Sequence, residues 1–378
     1  MEGYAGRQFV GMDLHRRRSV LVRMTAAGDV LERVRIVNDV DRLAAVIARA
    51  GVSPEVVLEA TYGWYWAVDA LREQGAAVHL AHPLGVKAFE YRRVKNDERD
   101  AADLADLLRM GRLPEAWIAP PATRELRELV RHRQKLVGLR SHCKAEVHAI
   151  LAKCGVQVSM SDCSVSMAPR CWTGLDLAAP YAARIGSLRR IMDGLDFEID
   201  HVAAMVRGRP AGDPGYVAVQ QIPGIGPTLA AVLVAEIGDI TRFTRPEQLT
   251  CWAGLTPTHH ESDAHVHRGR ITKQGSRLVR WAVVESVQIL PATTMVGRFR
   301  DRVAARRGRN IGVVAAGPPP TRVRLLRAAR PPRARLGPSP GQDHPPTRDR
   351  GMNRGRRGPV AADRAGQDPH SWVAWSLL

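Results

Sequence analysis

Four acidic residues stand where carboxylates are costly. Asp13 lies in FVGMDLH, within a run of otherwise apolar strand-forming residues, and Glu59 ends the apolar run EVVLEA. An ionised carboxylate in such a setting needs hydrogen bonds or a cation to compensate it. Asp97 and Asp100 open KNDERDAADLADLLRM, where a three-residue spacing puts them side by side on one helix face. The same geometry turns Asp103 further round and Asp106 to the opposite side, leaving Leu104, Leu107 and Leu108 for the core. Oxygen-only ligands suit Mg²⁺ or Mn²⁺, and two such ions can polarise both the attacking and the leaving oxygen of a phosphodiester. Taken singly, each residue reads as well as a turn, a cap or a solvated helix face. The order strand-Asp, strand-Glu, helical D-x-x-D is what points to phosphoryl transfer.

The elements that must position these groups are legible around them. QFVGMDLH, SVLVRMTA and VLERVRIV predict three strands across residues 8–37, the last two joined by the turn AAGD. A helix at about 40–50 follows, then the strand EVVLEA, a helix over 64–73 and the strand AVHLAH. A three-strand meander followed by alternating helices and strands predicts a mixed α/β sheet with covered faces.

After Pro120-Pro121 the pattern becomes helical. Thr123 is a candidate N-cap. Apolar residues recur at 126, 129, 136, 143, 147, 150 and 154, in a register that passes through Arg133 and Arg140. Ile185, Leu188, Met192, Leu195, Ile199, Val202 and Val206 form a second stripe. The two stripes predict a coiled-coil middle, either as a hairpin within one chain or as a dimer seam. Residues 216–300 form a third, mainly helical region. The segment IPGIG at 222–226 reads either as a phosphate-holding helix-hairpin-helix turn or as a tight interhelical turn. The tail from Gly317 holds 11 of the 25 prolines and twelve Arg but no Lys, a composition that predicts disorder. Its abrupt start, a helix running into PPP, also fits translation in a different frame. The expected domains are 7–118, 119–212, 213–312 and a tail over 313–378.

Composition bounds the partners. The 378 residues carry 56 basic against 38 acidic side chains, a formal charge of +18, so a polyanion is expected to bind. Only six of the basic residues are Lys. Five cysteines without a CxxC pair argue against a disulfide framework or a structural zinc site and fit a reducing, cytoplasmic setting. No apolar run approaches the ~20 residues that span a bilayer.

These motifs resemble a known family. FVGMDLH, VLEATYGW and KNDERDAADLADLLR are similar to the three acidic motifs of the DEDD transposases of the IS-one-ten (IS110) group of insertion sequences. IPGIGPTLAAVLVAEIGDITRF, CWAGLTP and ITKQGSRLVRWAVVE resemble that group's C-terminal domain, and together the matches span residues 8–312 in family order. The resemblance implies an RNase H-like, RuvC-type N-terminal domain and a mainly α C-terminal domain that supplies a serine nucleophile. It also implies DNA partners, a noncoding guide RNA and a homo-oligomer. The family's acids fall on Asp13, Glu59, Asp97 and Asp100, and its serine on Ser262, here followed by Asp263-Ala264 where many relatives have glycine. A serine hydroxyl needs a base, a metal or a phosphate-clamping cation to become a good nucleophile. Arg268, Arg270, Lys273, Arg277 and Arg280 stand nearby in sequence to clamp phosphates. Ser276 is the rival serine, with an N-cap as its plainer role. His259, His260, His265 and His267 cluster around Ser262 without zinc-type spacing and predict a polar loop. The alternatives are a RuvC-like nuclease or junction resolvase that activates water, and a degenerate transposase that only binds nucleic acid.

Overall fold

The computed structural model describes residue 4 and residues 6–89, 96–156, 177–262 and 265–317. The tail from residue 318, with its expected disorder or altered frame, lies outside the described residues. So do Cys163, Cys171, Asp263 and Ala264. The chain divides between Ala119 and Pro120 into two compact units. Among the described residues, no helix is long and apolar enough to cross a membrane.

The first unit is a five-stranded sheet in the order β3-β2-β1-β4-β5. The strands are β1 (Gln8–Leu14), β2 (Arg18–Thr25), β3 (Val30–Val37), β4 (Glu55–Glu59) and β5 (Ala77–Ala81). β1, β2 and β3 form the antiparallel meander that their turn signals predict, and β4 and β5 run parallel to β1. The parallel pairing needs helical crossovers, supplied by α1 (Val40–Ala48) and α2 (Trp64–Glu73). Strand alternation then sorts the side chains. Val10, Met12 and Leu14 join Leu58 and Leu80 beneath Leu43, Ile47, Val68 and Leu71 of those two helices. On the other face Phe9, Val57 and Ala81 meet Leu104 and Leu108 of α4 (Asp97–Arg109), while Val20 and Val22 meet Ala101. A short helix α3 (Pro83–Val86) lies between β5 and α4 in sequence. With both faces covered, the inner strands read as near-continuous apolar runs, whereas edge strand β3 is mostly exposed.

The second unit is mainly helical. Two long helices, α5 (Pro121–Lys153) and α6 (Ala179–Gly208), pack antiparallel on one another within the chain. Val147, Ile150 and Leu151 meet Ile185 and Met192 near one end. Arg140, polar in the middle of the stripe, reaches Asp196 across the pair at 2.5 Å. At the other end Leu126, Val130, Ile199, Val202 and Val206 share one core with the helices that follow. These are α7 (Pro214–Gln220), α8 (Pro227–Ile237), α9 (Pro246–Trp252) and α10 (Arg277–Gln288), while α11 (Met295–Arg307) and α12 (Arg309–Ala316) pack with the end of α10 around Val287, Val313 and Ala316. Most of α8 is buried in that core, which explains its apolar sequence all round.

One acidic residue breaks the apolar surface of α8. Glu236 is only 4% exposed and accepts two hydrogen bonds from Arg131 of α5, at 2.7 and 3.2 Å. Arg127, one turn earlier, donates to the backbone carbonyls of Ala235 and Glu236 at 2.7 and 3.0 Å. Guanidinium groups thus satisfy carbonyls at the C-terminal end of α8, where the helix dipole favours cations. Removing Arg131 strands a buried charge, but its own half-exposure tempers the loss. Arg131→Ala is expected to cost about 1–3 kcal/mol of stability, read as a lower urea midpoint at an unchanged slope.

Candidate active site

Strand register and one close helix contact bring Asp13 near Asp97 and set Glu59 on the strand beside Asp13. β1 and β4 pair in parallel through Met12 and Leu58, so Asp13 and Glu59 follow at matching positions on neighbouring strands. Both fall on the α4 face, in alternation with Phe9 and Val57. α4 crosses that face in the reverse direction. Ala101 and Ala105 lie over Gly11, and Leu104 and Leu108 lie near Phe9. Its first turn therefore reaches the C-terminal ends of β1 and β4, the edge where open α/β sheets bind their ligands. Asn96 caps the helix by accepting from the Glu98 amide at 3.0 Å, and the acidic first turn suits the positive end of the dipole.

A histidine joins the acids. His15 Nε2 lies 3.0 Å from Asp13 Oδ2 and 3.5 Å from Asp97 Oδ1, and an Arg35 nitrogen lies 4.0 Å from Asp97 Oδ2. One donor atom each of Asp13, His15 and Asp97 lies within 4.8 Å of the other two. Burial raises the Asp13 carboxyl above the ordinary aspartate range. The His15 charge opposes that shift, the Asp97 and Asp100 charges add to it, and a hydrogen bond from His15 lowers it again. Negative charge crowded into a partly dry edge is what a divalent cation would relieve, so this donor set fits a metal. The structure thus brings Asp13 and Asp97 together and puts Asp100 within electrostatic reach. Glu59 ends the adjacent strand on the same face. Asp103 is exposed, and Asp106 pairs with Arg109 at 2.5 Å. The sequence reading passed over His15, although D-x-H at a strand end puts both side chains on one face.

Ser262 sits at the end of an exposed two-stranded ribbon of β6 (Pro257–Ser262) and β7 (His265–Ile271). The register pairs Ser262 with His265, His260 with His267, and His259 with Arg268. Directly opposed residues share a face, so Ser262 shares its face with His260, His265 and His267. His259 instead faces Glu261, with Nε2 and Oε2 3.2 Å apart.

The base of the ribbon is anchored by two glycines with positive φ, Gly254 and Gly275. A side chain on either would run into the backbone of Gln274 or Trp252 respectively, so CWAGL and TKQGS interlock. Arg280 donates through Nη1 alone to the carbonyls of Ala253, Gln274 and Gly275 at 3.0, 3.3 and 3.1 Å, which ties that nitrogen to the loop. Arg268, Arg270, Lys273 and Arg277 are exposed. Ser276 caps α10 by accepting from the Val279 amide at 3.3 Å, and donates to Glu236 Oε2 at 3.0 Å. The 222–226 segment is a tight turn in which Gly224 approaches the Ser286 carbonyl.

The comparisons with known proteins fall on the same two regions. Residues 217–304 match the family model described as the transposase IS116/IS110/IS902 family, and residues 10–155 match a transposase model of the DEDD IS110 type. The chain is 26% identical over 263 residues to a probable family 20 transposase of Pseudomonas aeruginosa, covering 66% of this chain and 76% of that protein. It is 27% identical to the putative transposase y4qE of Sinorhizobium fredii, over 73% of this chain and 70% of the relative. It is 24% identical to the transposase for insertion sequence element IS1111A of Coxiella burnetii, over 69% and 73% respectively. With both halves of the chain matched in order and acids gathered at the sheet edge, the protein belongs to the IS110/IS116 family of insertion-sequence transposases.

Proposed function

We propose that this transposase cleaves and rejoins DNA strands in a divalent-metal-dependent reaction, with Ser262 as the nucleophile. The observation that carries the reading is the gathering of Asp13 and Asp97, with Asp100 close by, at the C-terminal edge of β1 and β4. The strand order, with one antiparallel hairpin beside parallel β1, β4 and β5, supports an RNase H-like, RuvC-type domain over residues 7–118. Asp13, Glu59, Asp97 and Asp100 would hold Mg²⁺ or Mn²⁺, in a two-ion arrangement. Such ions, when bound, withdraw charge from the attacking and leaving oxygens of a phosphodiester.

Ser262 Oγ then forms a phosphoserine ester as the strand's own P–O bond breaks, and the departing oxygen leaves as a hydroxyl. The reverse attack by a recipient strand's hydroxyl frees the serine and conserves the bond. Arg268, Arg270, Lys273 and Arg277 would meet phosphates, while Arg280 holds the loop between β7 and α10. Residues 119–212 would serve assembly as a homo-oligomer and 213–312 would form the serine-bearing domain, whose last helix runs four residues past the expected boundary to Ala316 before the tail. Support for a noncoding guide RNA comes from the family resemblance alone. The reaction takes place where the DNA is, in the cytoplasm.

Incubation with element-junction DNA, candidate RNA and Mg²⁺ is expected to give a covalent protein–DNA adduct. Ser262→Ala abolishes it, while Ser276→Ala leaves it in place. An adduct surviving Ser262→Ala would sink the serine assignment. Free cleaved ends with no adduct would point to a nuclease that activates water, and binding with neither product to a degenerate transposase.

A further inference from the structure

The carboxylate edge contains a nitrogen donor beside the acids. His15 Nε2 stands 3.0 Å from one Asp13 oxygen and 3.5 Å from one Asp97 oxygen. Neighbouring ligands of an octahedral ion with bonds of about 2.1 Å are about 3 Å apart, close to the spacing of His15 Nε2 from Asp13, and the three residues' donor atoms lie within 4.8 Å of one another.

The backbone that presents the ring is fixed independently of the acids. His15 N–H donates to the Arg18 carbonyl at 3.2 Å, across the β1–β2 turn. Its carbonyl accepts from Asn38 Nδ2 at 2.6 Å, and Asn38 Oδ1 accepts from the fully buried Ser19 hydroxyl at 2.6 Å. A further bond joins the Asn38 amide to the Arg17 carbonyl at 3.0 Å. These bonds fix the strand end from which the ring projects toward the acids, and a rigid element places a ligand more precisely than a loop does.

We propose that His15 is an inner-sphere ligand of one ion, through Nε2 in the Nδ1–H tautomer, together with Asp13 and Asp97. This rests on the carboxylate reading given above. A mixed nitrogen and oxygen set favours Mn²⁺ and later first-row ions over Mg²⁺, which prefers oxygen alone. His15 is thus a specificity-determining residue for the metal.

The test uses the full chain loaded with Mn²⁺ alone. Electron spin-echo envelope modulation is expected to show nitrogen coupling of a directly bound imidazole, converted to the ¹⁵N pattern by ¹⁵N-histidine. The coupling disappears in His15→Gln, and Mn²⁺ affinity falls about tenfold while Mg²⁺ affinity changes little. The histidines of the β6–β7 ribbon remain in that variant, so they cannot account for the loss. Bound Mn²⁺ with no histidine coupling, or coupling that persists in His15→Gln, overturns the His15 assignment and leaves the carboxylate site standing. Failure of Mn²⁺ to bind, or binding unchanged by Asp13→Asn, overturns both.

Discussion

Asp13→Asn is expected to remove strand cleavage and, in the same protein, to make the metal-free chain harder to unfold. Burial is the main cause that lifts the Asp13 carboxyl, with Asp97 and Asp100 adding to it and His15 opposing. A folded pKa above the unfolded value means that folding takes up a proton in the interval between them. The stability tied to the neutral form is complete below the unfolded value, about 3.9, and is lost as pH rises through the raised folded value. At neutral pH the ionised carboxylate is therefore a liability in the absence of metal, and the amide removes it. Melts in EDTA should show the variant above the wild type at about pH 7, with the gap closing toward about pH 4.

Metal reverses the ranking. A bound ion stabilises the wild type by about 2.7 kcal/mol at one hundred times its dissociation constant, and Asp13→Asn loses that response. Cleavage falls by about a thousandfold or more, because metal stabilisation of the transition state is worth several kcal/mol at 1.36 kcal/mol per tenfold. A variant that cleaves normally, or that melts below wild type in EDTA at neutral pH, would contradict this account of the site.

Gly11→Ala is expected to weaken metal binding without altering any ligand. A Cβ at Gly11 would run into the Ala101 carbonyl oxygen and lie 2.9 Å from the Ala105 amide nitrogen. Both atoms belong to the α4 backbone, so no side chain can swing aside and the helix must lift from β1. Overpacking of this kind costs about 1–3 kcal/mol, and a backbone clash belongs at the upper end. Asp97 stands one turn before Ala101 and Asp100 immediately before it, so both move with the helix. The measurement pairs urea unfolding with Mn²⁺ titration. Gly138→Ala provides the contrast, since a methyl there meets nothing within 4 Å on helix α5, and it should gain about 1 kcal/mol from helix propensity. Full metal affinity in Gly11→Ala would show that α4 tolerates displacement and that its first turn is not positioned by this contact.

Much of the first unit was readable because its signals are local or periodic. The runs at 8–15, 19–26 and 30–37 became the strands Gln8–Leu14, Arg18–Thr25 and Val30–Val37, and Leu104, Leu107 and Leu108 took the buried side of α4. Ser276 became the N-cap that its position before Arg277 suggested. Other roles left no local trace. Arg280 sits among basic residues and looks like a phosphate contact, and nothing local foretold that its Nη1 would also be held by three loop carbonyls. Glu236 is one acid in an apolar helix, and its partners Arg131 and Ser276 lie 105 and 40 residues away. The stripes on α5 and α6 fitted a hairpin or a dimer equally well, because periodicity says which face is apolar and not what covers it. Within the chain they cover each other.

The carboxylate site shows where this division falls. The sequence by itself determined which acids stood in apolar strands, that Asp97 and Asp100 share a helix face, and that the chain carries the motifs of its family. Only the tertiary structure decided that Asp13 meets Asp97, that His15 stands between them, and that Glu59 ends the strand beside β1. The physical reason is distance along the chain. Propensity and hydrophobic period act over a few turns, whereas the meeting of residues 13 and 97 and the placing of Glu59 on the neighbouring strand depend on strand order, parallel register and the bare backbone of Gly11 beneath α4.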